Sequence, residues 1–193
     1  MHASARLVLA LHGLDALHER IGDEFVSLCR HELDPLVQAA GRSLGITLRH
    51  TAHGDLELHF DVRPEMGPER PCGFAMLGEG GDVVVVEAHR SLGVCTTDPV
   101  TGKIHRRGIL TYDVLLARAL FNTGMHELGH FVAALPHVHD PNNYMVTGNP
   151  PVDMRTRRGR RAFFAGSKRF TSEQRGRLVE QLRSGTWLEG SEE

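Results

Sequence analysis

The tightest constraint in this chain is the stretch His126 to Met145, HELGHFVAALPHVHDPNNYM. His126 and His130 are four residues apart, so on a helix they sit one turn above each other on the same face and can reach one ion. Glu127 lies beside them, off the ion but close enough to act on water held there, the arrangement that metal-assisted amide hydrolysis needs. A catalytic zinc takes three protein ligands and keeps a position for water, so a third ligand has to come from beyond the helix. His137 and His139 are the candidates. If the helix simply continued, His137 would lie roughly 10 Å further along the axis than His130. The chain therefore has to turn, and Pro136, which a helix interior does not accommodate, supplies a reason for it to stop just before His137.

The surrounding pattern supports a buried helix. Phe121, Met125, Leu128, Val132 and Leu135 form an apolar stripe at helical spacing, projected away from the two histidines. Ala119, Asn122, Thr123, Gly129 and Ala133 are small, and around the histidines they predict room for a cleft. Thr111 is read as the cap of this helix, with Asp113 in its first turn.

The segment resembles the metzincin clan of zinc peptidases and, within it, the matrixins, whose pattern is H-E-x-x-H-x-x-G-x-x-H followed by a tight turn containing a methionine. HELGH matches at His126 to His130, and the run from His137 to Met145 resembles the H-S-x-D-P-N-S-x-M that closes the matrixin signature. The resemblance implies Glu127 as general base, His126, His130 and His137 as zinc ligands, and Met145 as the methionine of the turn. The register of Asp140, Pro141, Asn142 and Met145 favours His137, with His139 as the alternative ligand. The family spaces its second and third histidines six apart, whereas His130 and His137 are seven apart, and Ala133 stands in the place of the family's glycine. A helix running slightly longer before Pro136 would absorb the extra residue.

Elsewhere, residues 6 to 12 read as a first strand and Leu14 to about Ala40 as a helix with a kink or break at Pro35. Gly41 and Gly45 mark its end. Ile46 to His53 and Asp55 to Val62 alternate as half-buried strands do, and Val83 to Val86 is an apolar run typical of a strand buried on both faces. Gly73 to Leu77 is a short strand and Ile104 to Leu110 a further candidate. The last helix is expected after Thr171, with Leu178, Val179 and Leu182 as its buried side. The sum is an α+β, metzincin-like (zincin) fold: a twisted mixed five-stranded sheet packed on two long helices, and a small C-terminal subdomain ending in a helix. Residues 1 to 193 are read as one domain, 1–135 forming an upper part with the active-site helix and 136–193 a lower part. By the same resemblance Gly73, Phe74, Ala75 and Met76 would bind substrate backbone as an added strand.

A formal net charge of −2 with balanced acids and bases predicts no nucleic-acid partner. No apolar run approaches the ~18 residues of a membrane span. Cys29, Cys72 and Cys95 are odd in number and show no C-x-x-C spacing, against a disulfide scaffold. Arg155, Arg157, Arg158, Arg160 and Arg161 follow Met145 in a basic stretch read mainly as a solvated loop. The expectation is a monomeric zinc peptidase acting on a peptide or protein substrate, most simply a metalloendopeptidase. A zinc-binding module of the same fold that binds peptides without cleaving them is the alternative. Such a protein is cytoplasmic if the chain is complete and secreted if a signal or propeptide has been removed.

Overall fold

A computed structural model describes residues 5–14, 19–48, 54–60, 73–78, 81–86, 109–147, 162 and 165–187. In chain order the elements are β1 (Arg6–His12), α1 (Glu19–Leu28), a π-helical segment (Cys29–Leu33), α2 (Asp34–Ala39), β2 (Ser43–Thr47), β3 (Leu56–Phe60), β4 (Gly73–Gly78), β5 (Gly81–Val86), α3 (Ile109–Ala133) and α4 (Ser172–Ser184).

The strands form one sheet in the order β2-β1-β3-β5-β4. β1 pairs in parallel with β2 and β3, and β3 with β5, while β4 runs antiparallel to β5 and closes one edge. Alternation decides which face is buried. Leu7, Leu9 and Leu11 of β1, with Leu56, Leu58 and Phe60 of β3, enter the core under the helices. Glu57 and His59, the residues between them, belong to the opposite face. β5, which carries the apolar run Val83 to Val86, lies between β3 and β4.

The first helical region departs from a plain kink. Between α1 and α2 the chain widens into one π segment, and the N–H of Asp34 bonds back to the carbonyl of Cys29. Pro35 follows at once, in the first turn of α2. A proline inside a helix lacks its N–H and presses on the carbonyl four residues back, and a wider turn there relieves that pressure. Gly41, at φ +78°, takes the chain out of α2. Gly45 does not mark an end: it lies within β2, which begins at Ser43 and stops at Thr47, so the alternation read further on was one strand's start misplaced. Residues 49–53 of that reading, and 61–62 of the next, lie outside the described residues.

The core runs from this sheet face through an aromatic chain. Phe25 meets Phe60 and Phe121 edge-on at centroid distances of 5.2 and 5.6 Å, Phe121 meets Tyr144 at 6.2 Å, and Tyr144 meets Phe170 at 4.8 Å. Such pairs contribute about 0.5–1.5 kcal/mol each beyond area burial. They link β3, α1 and α3 to the loop that follows α3. α3 itself packs on α1, β4, β5 and α4. It begins at Ile109, so Thr111 lies inside its first turn and does not cap it, and Ile109 and Leu110 belong to helix rather than to a strand. Residues 104–108 lie outside the described residues.

α4 has the start its sequence predicts. Thr171 accepts from the N–H of Gln174, and the Gln174 side chain returns a bond to the N–H of Thr171, a reciprocal box that satisfies two otherwise orphaned donors. Leu178 and Leu182 are buried and Val179 packs beside them. Among the described residues no helix is long and apolar enough to cross a membrane.

Candidate metal centre

α3 carries His126, Glu127 and His130, and its end decides whether a third imidazole arrives. Ala134 has φ +44°, the left-handed conformation that usually selects glycine at a helix C-terminus. Its N–H bonds to the carbonyl of His130 at 2.8 Å, and the N–H of Leu135 reaches the carbonyl of Gly129 at 3.1 Å. The turn is thus made by Ala134, and Pro136 comes after the chain has already left the helix. This also accounts for the seven-residue spacing. The family pattern places its turning glycine three residues before the last histidine, and Ala134 stands three before His137; the additional residue is a helical one. Arg177 of α4 donates to the carbonyls of Ala133 and Ala134 at 2.9 and 3.4 Å, bonding the helix end from outside. An alanine in this conformation costs about 1–2 kcal/mol. Ala134→Gly is therefore expected to raise unfolding stability by about 1 kcal/mol, read from urea denaturation; an unchanged or lower midpoint would contradict the strain.

The Nε2 atoms of His126, His130 and His137 form a near-equilateral triangle: 3.1 Å between His130 and His126, 3.1 Å between His130 and His137, and 3.2 Å between His137 and His126. The Nδ1 of His126 lies 2.7 Å from the carbonyl oxygen of Tyr144. A carbonyl only accepts, so Nδ1 carries the proton and Nε2 presents a bare lone pair. Burial, with neighbouring His130 second, lowers the pKa of His126 to about 3, and burial followed by His137 lowers that of His130 to about 4. Both imidazoles are neutral at neutral pH, as metal ligands have to be. A tetrahedral ion bonded to nitrogens at ~2.0–2.1 Å holds them about 3.3 Å apart. The triangle fits that donor set, so these three nitrogens could hold one metal ion. His139 is exposed on the loop and is not part of the cluster. Glu127 is buried, and burial raises its carboxyl to about 8.

The small residues of α3 do not open a cleft. Ala119 and Ala133 are fully buried, Asn122 donates to the carbonyl of Gly166 at 2.9 Å, and the Thr123 hydroxyl bonds to the carbonyl of Ala119 at 3.0 Å. Gly129 is small for another reason. A Cβ there would collide with the sulfur of Met145, which is fully buried under the histidine-bearing turn. Gly129→Ala gains ~1 kcal/mol of helix propensity but overpacks by about 1–3, so a net loss of up to about 2 kcal/mol is expected. Gly176→Ala on α4, where a Cβ meets nothing within 4 Å, should instead gain up to ~1 kcal/mol. Thermal melts of the two variants check the opposite signs.

Met145 is held by contacts from far along the chain. Its N–H donates to Asn143 Oδ1 at 2.8 Å, and Asn143 Nδ2 donates to Gln174 Oε1 at 2.8 Å, the same oxygen that serves the cap of α4. Val138 and Val146 bridge in parallel across the loop, through the N–H of Val138 to Met145 and that of Thr147 to Val138. Lys168 donates to the carbonyl of Pro141 at 2.7 Å, and burial lowers its pKa to about 8. Glu32, inside the π segment, accepts from the Tyr144 hydroxyl and pairs with Arg118 of α3. Burial first, and then Glu32, pushes the Tyr144 phenol up. Sequence reasoning passed over Glu32, Asn143, Tyr144 and Gln174. Only Tyr144 left a local signal, an aromatic adjoining the methionine.

Gly73, Phe74, Ala75 and Met76 lie on β4, the edge strand beside β5, with α3 packed against both. Cys29 is a buried free thiol pushed up by desolvation. Cys72, Cys95 and the arginines from 155 to 161 lie outside the described residues.

No protein-family model matches the chain, and no curated protein sequence does. Among solved structures, the crystal structure of archaemetzincin from Methanopyrus kandleri is similar in fold, with a TM-score of 0.54 at 15% sequence identity, over 92% of this chain and 96% of that one. At that identity the likeness is one of architecture: a mixed α/β arrangement with a small, mostly parallel sheet and helices.

Proposed function

We propose that this protein is a zinc-dependent metallopeptidase, acting on internal bonds of a peptide or protein substrate. The observation that carries the reading is the triangle of three imidazole nitrogens beside a buried glutamate. The fold likeness to a protein named archaemetzincin supports it, and so does the resemblance of residues 137 to 145 to the matrixin signature.

His126, His130 and His137 would hold the ion. Zinc bound there would supply a Lewis acid that lowers the pKa of water towards neutrality and polarises a peptide carbonyl. Glu127 takes the water's proton on its carboxylate and returns it to the leaving amine. Its buried position, which favours the protonated acid once the proton is taken, suits the second half of that task. Tyr144, through its carbonyl, keeps His126 in the tautomer that leaves Nε2 free. Substrate backbone would add to the sheet along Gly73 to Met76 on β4, which gives affinity with little demand on sequence.

The direct test is incubation of the zinc-loaded chain with an internally quenched peptide library, followed by mass analysis of the products. Cleavage at internal bonds is the expected result. A fully zinc-loaded protein that cleaves nothing would remove the enzymatic reading and leave a peptide-binding module.

A further inference from the structure

A second group of metal-ligand side chains stands on the sheet, sharing no residue with the three imidazoles of α3 and its loop. His12 ends β1 and His59 lies on β3, and the parallel register sets these two residues directly opposite each other. Glu57 is two residues before His59 and so emerges on the same face. One carboxylate oxygen, Glu57 Oε2, is 3.4 Å from His12 Nε2 and 3.2 Å from His59 Nε2. The two rings stack at 4.3 Å with 19° between their planes. In the α3 cluster, His126 and His137 stack at 5.1 Å and 25°. Two imidazoles thus turn their Nε2 atoms to one oxygen at the spacing that ligands of a common tetrahedral ion adopt, about 3.3 Å.

We infer that His12, Glu57 and His59 form a second cation site, for a divalent transition ion of the zinc or cobalt kind. Three features favour an ion over a simple hydrogen-bonded pair. The donor set, two imidazole nitrogens and one carboxylate oxygen, is what borderline divalent metals select, and calcium or magnesium would ask for oxygens throughout. The carboxylate is oriented from behind: Glu57 Oε1 accepts from the N–H of Gly54 at 3.3 Å, which leaves Oε2 turned to the two rings. Finally, the His12 and Glu57 side chains are each only 12% exposed, so the carboxylate oxygen shared by the two stacked rings is largely withdrawn from water and gains from a dication beside it. The His59 side chain, 37% exposed, is the open side through which an ion enters and water completes its shell. Such an ion ties the ends of β1 and β3 together on the sheet face opposite the core.

The test uses the full chain carrying His130→Ala, which breaks the other cluster, so that failure of the peptidase reading leaves the measurement intact. After metal is stripped by dialysis, titration with Co2+ is followed by its visible absorption, and Zn2+ is counted by elemental analysis. About one equivalent should still bind. Adding His59→Gln or Glu57→Gln should weaken that binding by about a hundredfold or more, with the circular dichroism of the metal-free proteins unchanged. In the parent chain the count should fall from about two equivalents to one on His59→Gln alone, which keeps the test decisive if His130→Ala does not fold. A His130→Ala chain that takes up no Co2+, or binding indifferent to both substitutions, would overturn the site and leave a hydrogen-bonded His–Glu group.

Discussion

Replacing Glu127 by glutamine is expected to lower peptide hydrolysis by about 10²–10⁴ in kcat while the protein keeps its zinc. The two halves of this outcome separate chemistry from architecture. Glu127 is buried beside the ligand pair and takes no part in the triangle of nitrogens, so glutamine, of the same shape, should leave the triangle undisturbed. What it removes is the carboxylate proposed to accept the water's proton. Kinetics on a quenched peptide, with zinc counted in the same samples, reads both quantities. Retained zinc with undiminished turnover would show that another group carries the proton, and the assignment of Glu127 would fall.

The second large effect is expected at the third imidazole. His137→Ala should cost both metal and turnover, because a cluster reduced to two neighbouring helical imidazoles no longer holds three sides of a tetrahedron. His139→Ala should leave both nearly unchanged, since His139 is exposed and lies apart from the three converging nitrogens. Zinc affinity by competition with a chromogenic chelator, measured for the two variants side by side, decides the matter. Equal losses, or a greater loss at His139, would reassign the ligand.

How much of this was legible beforehand depends on how local the cause is. The apolar stripe Phe121, Met125, Leu128, Val132 and Leu135 is buried as its periodicity implies, and Thr171 caps α4 as expected. These are properties of neighbouring residues. The turn at Ala134 was not legible, because alanine carries no mark of left-handed backbone; there the surroundings impose a conformation that its own preference resists. Pro136 drew the attention instead, being the visible breaker. The small residues of α3 misled in a similar way. Gly129 is small to admit Met145, and Asn122 to bond Gly166, so smallness reflected tight packing and not open space. Glu32 lies in a π turn far upstream of Tyr144, and Gln174 well downstream of Asn143. No periodicity joins residues so separated. Only the closed sheet and helix layers bring them together. The His12, Glu57 and His59 group was hidden for the same reason: the register between β1 and β3 cannot be read from either strand alone.

The clasp of Arg177 on the carbonyls of Ala133 and Ala134 has a temporal side. A chain leaving the ribosome delivers His126 and His130 well before the arginine that secures the bend toward His137 has been synthesised. On the proposed function, competence for hydrolysis would wait on the closing helix, and a polypeptide cut short ahead of it would emerge with its ligands translated but its cutting edge unset.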